Sequence, residues 1–121
     1  MAPHPLFLKP GAPLPSMQCP FGVLLDAEDK DWSNDDFLRR SCTGLLAAGC
    51  LWFVCFGERA EEIHDRIDDF IVEQEYQDVT TTYHSEESEQ DVAEFFTNVA
   101  LMKMKSALVL VHDRRKWERH F

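Results

Sequence analysis

The stretch CLWFVCF, Cys50–Phe56, decides how this sequence is read. Every position in it is apolar, so the alternation expected of a strand with one wet face is missing. A strand without alternation is covered on both faces, the usual condition of a parallel sheet lying between layers of helix. Its flanks agree. Upstream, Phe37, Leu38, Cys42, Leu45 and Leu46 form a helical apolar stripe. Ser33 is placed to cap that helix with Asp36 in the capping-box position, Trp32 and Phe37 stand as a hydrophobic staple, and Gly49 ends it. Downstream, Gly57 breaks the strand. ERAEEIHDRIDDFIVEQE then places Ile63, Ile67, Phe70 and Ile71 at i, i+4, i+7 and i+8, an amphipathic helix with an acidic outer face.

Three further segments repeat the theme. FGVLLDA (residues 21–27) is a short apolar run bounded by Pro20 and an acidic cluster, and reads as a buried strand. DVTTTYH (78–84) is rich in β-branched residues and lies between helices, so it reads as the third strand. Ser85 or Ser88 caps the next helix, whose stripe is Val92, Phe95, Phe96, Val99 and Ala100, and whose end carries Lys103 and Lys105. SALVLVH (106–112) is the fourth strand. The order β-α-β-α-β-α-β predicts a single three-layer αβα domain spanning residues 1–121, with a four-stranded, mainly parallel sheet of Rossmann-like or flavodoxin-like topology. All six prolines lie within residues 1–20. Proline removes a backbone donor and fixes φ, so this segment is expected as an extended arm held on the body by Leu6, Phe7, Leu8, Leu14 and Met17. Residues 113–121, DRRKWERHF, form a basic and aromatic tail with room for a short helix, expected to dock on the acidic body of the same chain or, as the alternative, of a second copy.

Composition narrows the function classes. A chain of 121 residues with 45% hydrophobic and 28% charged residues is globular and can build a core without staples. No apolar run approaches the ~20 residues of a membrane span, and no basic start followed by an apolar block suggests a signal peptide. Cys19, Cys42, Cys50 and Cys55 make no C-x-x-C pair and read as reduced thiols, which fits the cytoplasm. The net charge of −10 is unevenly spread: residues 26–94 hold 20 acidic and 5 basic side chains, whereas residues 103–121 hold 6 basic and 2 acidic. Such a body repels nucleic-acid backbones and attracts a basic protein partner. A homodimer is the other partnership open to it.

Ligands of open parallel sheets sit beyond the carboxyl ends of the strands. Asp26, His84 and His112 all fall at such ends and are the candidate catalytic residues. Together they would make a two-histidine, one-carboxylate set, but no two share ligand spacing on one element, so no metal or cofactor is expected. Ser85 beside His84 lacks the G-x-S-x-G context of a nucleophile elbow. No glycine-rich phosphate loop is present, and the DAEDKD segment after the first strand would repel phosphates. An acidic pair there is also found in phospho-receiver domains, but the third strand ends in Tyr-His instead of an acceptor aspartate.

The segment TTTYHSEESEQDVAEFF (80–96), with its Thr-Thr-aromatic-His step, resembles a family of short bacterial α/β proteins of unassigned activity, and LWFVCFGERAEEIHDRIDDF is similar in outline. The resemblance covers about half the chain and implies a fold, not a reaction. Two functions follow from the residues. One is a small acidic cytoplasmic binding domain, of the immunity-protein or antitoxin kind, that meets a basic toxin or effector through Glu58, Glu61, Glu62, Asp65, Asp68, Asp69, Glu86 and Glu87. The alternative is a ligand-binding or hydrolytic enzyme using the rim near Asp26, His84 and His112.

Overall fold

The computed structural model describes residues 2–121. Five strands form one parallel sheet: β1 (Leu6–Leu8), β2 (Phe21–Asp26), β3 (Cys50–Phe56), β4 (Thr80–His84) and β5 (Ser106–Leu110). Their order across the sheet is β1-β5-β2-β3-β4. β3 lies between β2 and β4, with Val54 level with Leu24 on one side and Thr82 on the other.

Both faces are covered, as the CLWFVCF run demands. Val23, Leu25, Phe53, Cys55, Leu108 and Leu110 point to one face. There they meet α1 (Asp35–Ala47) through Leu38, Cys42, Leu45 and Leu46, and α2 (Ala60–Glu73) through Ile63, Ile67, Phe70 and Ile71. The intervening residues Leu24, Val54, Phe56 and Val109 point to the other face. That face is covered by α3 (Glu89–Phe95), by the π-helical turn Phe96–Ala100 that continues it, and by α4 (Arg114–Glu118). Strand side chains alternate between two apolar layers, so polar positions have no place along β3.

The four-stranded expectation is corrected to five. Leu6–Leu8 of the arm pairs in parallel with β5, Leu6 level with Leu108 and Leu8 with Leu110. Pro5 and Pro10 flank it, and an edge is where a strand tolerates nearby prolines, because its outer N–H groups need no ladder partner. Leu14 and Met17 then pack beside the α1 layer.

Helix starts shift slightly. Lys30–Ser33 forms a 3-10 turn, and Asn34 instead of Ser33 caps α1 by accepting the Phe37 N–H at 2.9 Å. Trp32 still packs on Phe37, ring centroids 5.3 Å apart. Ser88, not Ser85, caps α3 by accepting the Asp91 N–H at 3.1 Å. β4 begins at Thr80 because Asp78, with φ of 62°, belongs to the turn. Gly49 follows α1 with φ of 104°, and a Cβ there would lie 2.5 Å from Cys19 Sγ, so the helix-to-strand turn into β3 requires glycine.

The two sides of α2 predict contrasting costs. Ile67→Ala should destabilise the protein by about 2–5 kcal/mol through cavity formation. Val72→Ala, on the same helix but 75% exposed, should change stability by no more than ~0.5 kcal/mol. Urea denaturation of both variants checks this.

Candidate functional site

In this sheet the crevice favoured by ligands lies between the ends of β2 and β5, because the chain leaves β2 toward one face and β5 toward the other. Asp26 ends β2 and is only 3% exposed. Its Oδ1 accepts the Glu28 N–H at 3.0 Å. Its Oδ2 accepts from Lys116 Nζ at 2.7 Å and from Trp117 Nε1 at 3.1 Å. Both donors come from α4. Trp117 is fully buried and stands edge-on to Phe56, with centroids 4.8 Å apart. The Lys116 ammonium sits 5.1 Å from the Phe56 ring centre and 3.1 Å from Glu28 Oε2. The chain's own tail therefore fills the crevice, as a basic, aromatic segment docked on an acidic strand end.

His112 follows β5 and is engaged elsewhere. Its N–H donates to Asp29 Oδ2 at 3.1 Å, and its Nε2 lies 2.6 Å from Asp31 Oδ1. Burial pushes the Asp29 carboxyl up, and the neighbouring Asp26 charge adds to this, while the His112 N–H partly offsets both. His84 ends β4, two strands from Asp26 across the register Asp26–Phe56–His84. It is 7% exposed, with Nδ1 3.0 Å from both Glu87 oxygens and Nε2 3.2 Å from Thr82 Oγ1. Its ring lies 4.6 Å from that of Phe95. The three candidate catalytic residues thus occupy the expected strand ends but do not converge: each is held by a separate set of partners.

The candidate binding residues are arranged differently. Glu58, Glu61, Glu62, Asp65, Asp69, Glu86 and Glu87 are exposed and Asp68 is half-buried. Some are engaged: Glu62 pairs with Arg59 at 2.7 Å and Arg66 at 3.2 Å. His64 lies 2.9 Å from Asp65 and 3.4 Å from Asp68. Its ring meets Tyr83 of β4 with centroids 4.9 Å apart. Thr81 Oγ1 donates to Asp68. The Glu61 carboxylate raises the Tyr83 hydroxyl pKa, by its charge and by a hydrogen bond. These contacts bind the acidic side of α2 to the outermost strand. Among the described residues, no group of three or more His, Cys, Asp or Glu side chains is set to hold a metal ion. Among those residues, too, no helix is long and apolar enough to cross a membrane. All four cysteines are free thiols; burial pushes Cys42 up to about 12 and raises Cys50 and Cys55 as well, which disfavours the nucleophilic thiolate.

Residues 4–120 match a family described as a domain of unknown function, DUF7684. The chain belongs to that family. No curated protein and no solved structure matches it. In this DUF7684 chain the link least visible from sequence is Asp26 with Lys116 and Trp117, about ninety residues apart. The basic tail and acidic strand end were each legible, but their pairing is a product of the folded topology.

Burial by itself would lower the Lys116 pKa, but the Asp26 hydrogen bond and charge, with a smaller part from Glu28, outweigh it and the net shift is upward. A lysine whose folded pKa exceeds its unfolded one contributes stability that is complete below the unfolded value and lost as pH rises through the folded one. Stability should therefore fall as pH climbs past the ordinary lysine value of 10.5, and Lys116→Met should flatten that fall. Asp26→Ala at neutral pH strands the buried Trp117 Nε1–H and removes one Lys116 partner, and should cost roughly 2–4 kcal/mol. Chemical denaturation across pH checks both.

Proposed function

We propose that this chain is a small cytoplasmic protein-binding domain, of the immunity-protein or antitoxin kind, that recognises a basic protein through the acidic side of α2. The observation carrying this reading is the outward face of α2, where Glu58, Glu61, Asp65 and Asp69 stand exposed along one helix and its entry. Such a face steers a cationic partner into encounter and discriminates against acidic ones. The bacterial resemblance of residues 80–96 is compatible with a small neutralising protein, and the docking of α4 on Asp26 at the β2/β5 crevice favours this reading over the enzymatic alternative.

The test is co-purification with the product of the adjacent gene at rising salt. Between about 0.1 M and about 1 M salt the screening length drops from ~10 Å to ~3 Å, so the complex should weaken markedly over that range. Neutralising Glu58, Glu61, Asp65 and Asp69 together to their amides should weaken it by roughly tenfold or more at low salt while leaving the fold intact. No complex at low salt, or a complex indifferent to both salt and neutralisation, would contradict the proposal.

A further inference from the structure

The two edges of the sheet are treated differently. β1 is three residues long and lies between Pro5 and Pro10, which blunts it against further pairing. β4 is five residues long, TTTYH, with neither proline nor lysine, and pairs only with β3. The His84 carbonyl accepts the Gly57 N–H at 3.1 Å, so the His84 backbone faces β3. In a strand, a residue's N–H and C=O point the same way and successive residues alternate. The N–H and C=O of Thr81 and Tyr83 therefore point outward. Tyr83 is also 42% exposed beside them.

An unpaired, unblunted edge of high β propensity is a template for another strand. Its surroundings select which strand. Residues 67–102 contain ten acidic side chains and no lysine or arginine. Asp68 bonds Thr81, the ring of Tyr83 lies against His64, and Glu86 and Glu87 follow the strand's end. A second copy of the chain would bring one acidic fence against another, and like charges at close range oppose that pairing. A cationic strand meets the same fence favourably.

We infer that the open edge of β4 is a docking site for an extended, lysine- or arginine-rich segment of the partner, which adds to the sheet as a sixth strand through the Thr81 and Tyr83 backbone. This rests on the proposed basic-protein-binding role and supplies its mode: backbone pairing gives register, and the carboxylates of α2 and the β4–α3 turn give selectivity. Side chains of the added strand alternate between the α2 side, with its carboxylates and Tyr83, and the side of Trp52 and Phe95. Alternating cationic and β-branched residues suit that pattern.

The probe is an end-capped peptide of alternating lysine and valine, with a second version N-methylated at every residue to remove the pairing donors of both strand edges but keep the charge. Binding is followed by amide hydrogen exchange and by titration. The unmethylated peptide should bind at low salt and slow exchange at Thr81 and Tyr83, and N-methylation of the strand-facing donors should weaken binding by roughly tenfold. Thr81→Pro, which deletes an outward-facing donor, should do the same, whereas Thr81→Val should not. If Thr81→Pro fails to fold, the methylated peptide alone decides. Equal binding of both peptides, with no protection at Thr81 and Tyr83, would overturn the edge site while leaving acidic-face recognition standing. No binding by either peptide would overturn the edge site, and the salt-dependent complex would then judge the broader role separately. Loss of that complex alongside intact peptide pairing would reject the broader role and keep the edge site. A peptide-free dimer protecting the same two amides would overturn the inference in favour of a second copy.

Discussion

The structure depends on burying β2, β3 and β5 from both faces at once. Phe21, Val23, Leu24, Phe53, Val54, Leu108 and Val109 have no measurable exposure, and the adjacent pairs Val23/Leu24, Phe53/Val54 and Leu108/Val109 point into opposite layers. Backbone pairing with neighbours on each side satisfies the N–H and C=O groups that such burial would otherwise orphan. Helices must then cover both faces, and each does so with a stripe of apolar side chains whose reverse is free to be charged. The acidic exterior is permitted by that arrangement: the carboxylates of α2 are on the side of the helix that the sheet does not need.

The same constraint fixes where chemistry can sit. With parallel strands, all carboxyl ends share one rim, and the β2/β5 gap is its natural crevice. Here α4 closes the gap with a buried indole and a half-buried ammonium on one carboxylate. A nearly buried carboxylate requires such partners, since an unpaired charge in that position would be costly. Asp26 is thereby explained as a structural anchor for the C-terminal segment. His84 and His112 have local partners of their own. The flank of the molecule is open: there the acidic side of α2 and the unpaired edge of β4 are joined by the Thr81–Asp68 and Tyr83–His64 contacts.

How far the sequence disclosed this varies with the range of the signal. The CLWFVCF run and the α2 stripe are dense local patterns, and the strand and helix they imply are found. The edge strand Leu6–Leu8 was not legible, because three apolar residues between prolines carry no period and pair only through register with β5. The π turn at Phe96–Ala100 was equally hidden, since its stripe of Phe96, Val99 and Ala100 reads as ordinary helix. At the candidate site, composition exposed the acidic face but not its contact with β4. Placing Asp26, His84 and His112 at strand ends was within reach. Their separation was not: the order β2-β3-β4 sets His84 two strands from Asp26, and His112, on the strand beside Asp26, is drawn to Asp29 and Asp31, neither of which a local pattern encodes.

Closure of the β2/β5 crevice by α4 is the central claim, and native-state hydrogen exchange tests it most directly. Amides of Trp117 and its helical neighbours bonded into α4 should share the slow exchange of the sheet instead of fraying, and the Trp117 indole N–H should be protected together with the β2 amides. Rapid exchange of that indole while β2 stays protected would show an open crevice beside an exposed Asp26, and would contradict the account.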